Sequence, residues 1–165
     1  MSNNMLLYLY KKPLVQKERW RIYAIGVKRM DKKFKTGDIY WINLQGTGSV
    51  QQGWHPGIII QNNKGNKYSR TIEIIPLTTA KKTKLPTHVR IPAGLFGLPR
   101  ESTAQCEGQR PVDKKDIGEF IGTVNDKILK ELSIACLINT PYLKFLTETQ
   151  ILELRMAQNV VNKWS

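Results

Sequence analysis

The stretch QQGWHPGIII, residues 51–60, sets a histidine before a proline and just ahead of an unbroken apolar run. Imidazole is the side chain that ordinarily changes charge near neutral pH. His55 could therefore move a proton or, when protonated, offset negative charge building on a phosphate. It could equally be a turn residue with no chemical task. The second histidine, His88 in LPTHV, stands where a strand begins, and a structural hydrogen bond is the simpler role there. Cys106 and Cys136 lack metal-ligand spacing, and no Cys/His/carboxylate cluster suggests zinc. They read as reduced core residues, and no metal or cofactor is expected.

The formal net charge of +13 points to a polyanionic partner, of which nucleic acid is the commonest. Its distribution is uneven. Residues 1–36 hold 10 Lys/Arg against 2 Asp/Glu, and residues 64–90 hold 7 Lys/Arg against Glu73 alone. A basic run is often only a solvated face, but two clusters in an acid-poor chain favour a role in binding. No apolar run approaches the roughly 20 residues of a membrane span. MLLYLY is followed by KKP, the wrong order for a signal peptide. The chain reads as cytoplasmic, with no membrane partner.

These residues need elements to hold them, and from Gly37 onward the signals are of β type. DIYWINL (38–44) alternates and is rich in β-branched and aromatic residues. GTGSVQQGWHPG (46–57) reads as a mobile glycine-rich loop, and GIIIQNN (57–63) as a buried strand. KGNKYSR turns the chain into TIEIIPLT (71–78), and TTAKKTKLP makes a second, basic loop. THVRIP (87–92), STAQCE (102–107) and RPVDK (110–114) complete the predicted strands. Turn-separated short strands of this kind suggest a small barrel. Helices follow. Asn125 caps 126–137, where Ile128, Leu129, Leu132 and Ala135 share a face. Thr140 and Pro141 open a second helix. TETQ (147–150) is a capping box before a last one, with Leu154, Ala157, Val161 and Trp164 on one face. That face is expected to bury against the barrel or a second subunit. Residues 1–34 form a basic extension. Met30, just ahead of the first strand signal, suggests that translation starts there; an RNA-contacting arm is the other reading.

In order and spacing, GDIYWINL, the loop ending in x-Pro, IIIQNNKGNKYS, the strand ending in PLT, KLPTHV, STAQCE and DKKDIGEFIGTVND resemble the MazF/PemK toxins of type II toxin–antitoxin modules. The resemblance covers about residues 35–137 and leaves 138–165 as a helical extension. It implies a mainly β (α+β) fold, a small SH3-like β-barrel with appended C-terminal helices, and a homodimer. It also implies metal-independent cleavage of single-stranded RNA to 2′,3′-cyclic phosphate ends, inhibition by an acidic antitoxin, and DNA contact only through that antitoxin.

Carried over residue by residue, the resemblance places Thr78 at the family's active-site threonine and Glu107 at an acidic residue that serves some members as base. A strand-end cap for Thr78, and an ion pair with Arg110 for Glu107, are the plainer alternatives. Ser49 and Gln51 fall in the loop that meets RNA, and Trp54 could stack on a base or pack on a partner. Lys81, Lys82 and Lys84, with Arg110, are the phosphate-binding candidates. The family's Arg-Pro is His55-Pro56 here, and Gln105 is a second departure. His55 lacks the bidentate fork of arginine. Either it works in its own way, or the chain is a catalytically impaired binder of RNA or antitoxin. A topoisomerase poison of the same barrel class has no support in these loops.

Overall fold

The computed structural model describes residues 32–162. The basic extension up to Asp31, the Met30 start and Trp164 lie outside them. Seven strands run antiparallel: β1 (Asp38–Leu44), β2 (Gly53–Ile59), β3 (Thr71–Thr78), β4 (His88–Ile91), β5 (Ser102–Gln105), β6 (Arg110–Asp113) and β7 (Ile117–Thr123). Three helices accompany them: α1 (Asn63–Tyr68), α2 (Asp126–Asn139) and α3 (Glu148–Asn162). The strand order is β4-β5-β3-β2-β1-β7, with β6 also on β3. The fold is mainly β with appended helices, as expected. Among the described residues the sheet does not close through a β4–β7 ladder, so it is a curved open sheet rather than a hydrogen-bonded barrel.

Strand alternation divides the sheet between two cores. Ile39, Ile58, Ile75, Leu77, Val89 and Ala104 point to one face, where α2 adds Ile128, Leu132 and Ala135. Tyr40, Ile42, Leu44, Ile59, Ile72 and Ile74 point to the other, with Phe34 and Ile117. Residues directly opposite one another on neighbouring strands share a face, so this division also sorts the polar residues at the strand ends.

Three departures from the sequence reading have local causes. β2 begins at Gly53, so Trp54, His55 and Pro56 are strand residues rather than loop. Pro56 is tolerated because the ladder to β3 starts only at Gly57, which leaves the first part of β2 an edge. KGNKYSR contains the short helix α1, whose start is capped by Asn62 accepting from Gly65 N at 2.8 Å. β7 went unread because Gly118 and Gly122 interrupt its alternation, and its register on β1 slips twice.

β5 ends at Gln105, and Cys106–Gly108 form a 3-10 turn where STAQCE reads as strand. Both β5 and β6 lie along β3, so this turn runs beside Pro76. A Cβ on Gly108 would stand 3.2 Å from the Pro76 ring, which explains a glycine there.

The helical end follows its capping residues. Asn125 accepts from Ile128 N at 3.1 Å, and Ile128, Leu132 and Ala135 are buried as their spacing requires. Asn125→Ala removes this cap and is expected to cost about 1 kcal/mol, a fall in Tm of roughly 3 °C by thermal unfolding. Thr140 precedes a short 3-10 helix, Pro141–Phe145, rather than an α-helix. It ends α2, and its hydroxyl donates to Cys136 O. The capping box of α3 forms as read: Gln150 N donates to Thr147 Oγ1 and Thr147 N to Gln150 Oε1. Leu154, the first residue of that face, is 57% exposed, so the sheet does not bury it.

Candidate active site

The sheet register gathers most of the candidate residues on one face. His55 lies opposite Ile42 of β1, which is in the second core. Arg110 lies opposite Ile74, in the same core. Thr78 follows Ile74 and Pro76 by alternation, and its partner Thr103 shares its face. Gln105 is two residues beyond Thr103, and His88 lies opposite Gln105. The β2–β3 ladder ends at Gly57 with Pro76, and His55 and Thr78 each stand two residues beyond that last pair, on the same face. A polar rim of His55, Thr78, Thr103, Gln105, His88 and Arg110 therefore continues the face on which the second core is built. Trp54 pairs with Asn43, and alternation sends it to the opposite face from His55.

Hydrogen bonds tie this rim to the loop before β2. Arg110 Nη2 donates to the Gln51 carbonyl at 3.1 Å, and His55 Nε2 lies 3.1 Å from the Gln52 carbonyl. A carbonyl can only accept, so Nε2 is the donor in that contact and Nδ1 is the ring nitrogen it leaves unengaged. Two side chains from different strands thus hold consecutive carbonyls. Arg110 is half-buried, and Nε of its guanidinium finds no partner within the protein; neither does Gln51 Oε1. Buried polar atoms are seldom left unpaired. Burial also pushes the Arg110 pKa down from its ordinary value, though a guanidinium stays charged.

A second chain of contacts links this loop to the lysine loop. Gln51 Nε2 reaches Gln105 Oε1, and Gln105 Nε2 reaches Glu107 Oε1, each at a long 3.4 Å. Glu107 Oε1 meets His88 Nε2 at 2.6 Å, and His88 Nδ1 meets the Thr83 carbonyl at 3.0 Å. Glu107 therefore pairs with His88 and not with Arg110, which corrects the ion-pair alternative. His88 makes the kind of hydrogen bonds that its place at a strand start suggested, and its side chain is only 6% exposed.

Both ring nitrogens of His88 lie against oxygens, Glu107 Oε1 and the Thr83 carbonyl. Burial pushes the Glu107 carboxyl up, but hydrogen bonds from its own backbone, His88 and Thr87 outweigh this and leave it below its ordinary value. A lowered folded pKa contributes stability that is complete above the ordinary value of 4.5 and is lost as pH falls through the folded value. Glu107→Gln is expected to lower stability by at most about 1 kcal/mol, since the pair is partly exposed. In urea titrations from about pH 6 downward, the difference from wild type should close below the ordinary value.

Thr78 Oγ1 accepts from Ala80 N at 3.2 Å, the strand-end role, and its hydroxyl hydrogen is still free to be donated outward. Lys81, Lys82 and Lys84 follow it, all exposed, and no described carboxylate is ion-paired with them. Ser49 is exposed at the tip of the loop before β2. Among the described residues, no three His, Cys, Asp or Glu side chains stand together as a metal site, and no helix is long and apolar enough to cross a membrane. The Gln51 and Gln52 carbonyls were beyond sequence reasoning, because a main-chain acceptor leaves no mark in residue type.

The family described as PemK-like, MazF-like toxin of type II toxin–antitoxin system matches residues 35–138. This chain belongs to that family. Within it, the chain is 34% identical over 113 residues to Endoribonuclease EndoA of Bacillus subtilis (strain 168), a match covering 67% of this chain and 97% of the relative. Its fold matches that of MazF from Deinococcus radiodurans with a TM-score of 0.58 at 20% identity, over 66% of this chain and 96% of the other. It also matches an endoribonuclease in complex with its cognate antitoxin from a mycobacterial species, with a TM-score of 0.54 at 22% identity, over 64% and 92% of the two chains. The PemK/MazF-like match thus spans the sheet and α2 and stops short of α3.

Proposed function

We propose that this PemK/MazF-like chain is a toxin endoribonuclease that cuts single-stranded RNA through His55, Thr78 and Arg110, without a metal. The observation that carries the reading is the anchoring of His55 and Arg110 to the adjacent carbonyls of Gln51 and Gln52, on the face that also bears Thr78. His55 Nδ1 takes the proton of the 2′-hydroxyl. The 2′-oxygen then attacks phosphorus, and Thr78 and Arg110 donate to the oxygens on which charge develops. The 5′-oxygen leaves with a proton from solvent, and the 2′,3′-cyclic phosphate remains. Glu107 is a weak base while His88 holds it, and its part is to position the two loops through His88 and Gln105.

Lys81, Lys82 and Lys84 hold flanking phosphates, with Ser49 and Gln51 on the opposite loop. Trp54, on the other face, packs rather than stacks on the scissile bases. The acidic antitoxin occupies the same basic face in the cytoplasm, and DNA is met only through it. The chain works as a homodimer, and the apolar side of α3 lies against the second copy.

The test is incubation of the purified chain with a panel of single-stranded RNAs in EDTA. Fragments with cyclic phosphate ends are expected. Intact RNA at high protein concentration would end the proposal, and cleavage only after adding a divalent ion would end its metal-free part.

A further inference from the structure

Cys106 and Cys136 are both free thiols, one in the turn that carries Glu107 and one on α2. Cys106 is fully buried in the first core, and Cys136 packs against that core while remaining partly exposed. Cys106 Sγ lies 4.0 Å from the Leu132 carbonyl. That carbonyl is one helical turn before Cys136, so it belongs to the turn of α2 whose ladder bond reaches the Cys136 amide. The turn itself is bound to the rim: Cys106 N donates to the Thr87 carbonyl at 3.1 Å, and the next residues of each segment, Glu107 and His88, are joined at 2.6 Å.

We propose that Cys106 and Cys136 are a reversible oxidation site, at which a hydroperoxide closes an intramolecular disulfide that tethers the Glu107 turn to α2. Cys136 is the thiol within reach of solvent. The neighbouring Cys106 thiol draws the Cys136 pKa down against the opposing effect of burial. The same contact, together with burial and the nearby Glu107 charge, pushes the Cys106 thiol up. Cys136 is therefore the nucleophile. Its thiolate attacks the peroxide oxygen, the O–O bond breaks, and Cys136 becomes a sulfenic acid as water leaves. Cys106 sulfur then attacks the Cys136 sulfur. The S–O bond breaks, the Cys106 proton goes to the departing hydroxide, and the disulfide forms with a second water. Two thiols are oxidised and one peroxide is reduced.

The bond requires movement. A disulfide holds its sulfurs about 2.05 Å apart, so the turn and α2 must draw together as it forms. The rigid helix core resists, and the turn carries Glu107 away from His88. This consequence rests on the site reading above; the oxidation does not.

The experiment treats the wild-type chain with hydrogen peroxide and reads intact mass, non-reducing electrophoresis and RNA cleavage. Expected are the loss of two hydrogens, no covalent dimer, and a cleavage rate at least ~10-fold lower, the size of effect a misplaced catalytic geometry produces. Dithiothreitol should restore both mass and rate. Cys136→Ser should lose neither hydrogens nor rate under peroxide. A sulfinic acid at Cys136 with no disulfide, or a bridge between chains, overturns the site. A disulfide that leaves cleavage unchanged overturns the tether. A wild-type chain that never cuts RNA defeats the proposed function, while the mass still decides the disulfide.

Discussion

His55→Ala is expected to lower kcat for RNA cleavage by about 100-fold or more, the usual contribution of a general base, with a smaller change in KM. The expectation comes from the ring's orientation. Its Nε2 proton is committed to the Gln52 carbonyl, so Nδ1 is the nitrogen left to accept a proton. His55 and Thr78 each stand two residues beyond the last β2–β3 pair, Gly57 with Pro76, so both belong to the face that the proposal gives to the phosphate.

His55→Arg discriminates more sharply. Arginine would supply the cation that the family resemblance implies before the proline, but it cannot act as a base near neutral pH. If His55 is the base, the arginine variant should also be slower, by roughly 10-fold or more. Faster cleavage would show that His55 is a weakened replacement, and that the chemistry runs through a cation at this position. Circular dichroism should show both variants folded, since His55 belongs to neither core cluster.

The sheet was legible where residue type and spacing report directly on burial. β1 and β3 carry apolar residues in register with two cores, so DIYWINL and TIEIIPLT read as strands with their observed limits. Asn125 and the TETQ box were legible because a capping side chain must be a short polar residue at a fixed offset. β7 was hidden because its bulged, glycine-containing register makes no clean alternation. The start of β2 was hidden because Gly53 and Pro56 are loop residues by type, and only pairing with β1 makes them a strand. The candidate residues were named through the family resemblance, but their arrangement was not legible. That Glu107 takes His88, while Arg110 takes a main-chain oxygen, follows from the path of β5, the turn and β6 along β3. No local pattern encodes that path.

Arg110→Ala is expected to have an effect as large as that of His55, about 100- to 1,000-fold in kcat/KM, the range for removing one donor to a developing oxyanion. Arg110 is the half-buried cation of the rim, and it extends from β6 toward the Gln51 carbonyl. Its Nε has no partner in the protein although it is buried, a state that costs roughly 1–3 kcal/mol unless a ligand relieves it. A purely structural arginine would use that hydrogen. Two roles are combined here, and two measurements separate them. As a loop anchor, Arg110 should affect RNA binding and KM through the position of residues 51–52. As a donor to the phosphorane, it should affect kcat. Arg110→Lys keeps the charge but loses the planar fork, so it should recover binding and salt dependence better than rate. Equal recovery of both would reduce Arg110 to a point charge for the backbone. An unchanged kcat in Arg110→Ala would return the task of charge stabilisation to His55 and the lysines of the 81–84 loop.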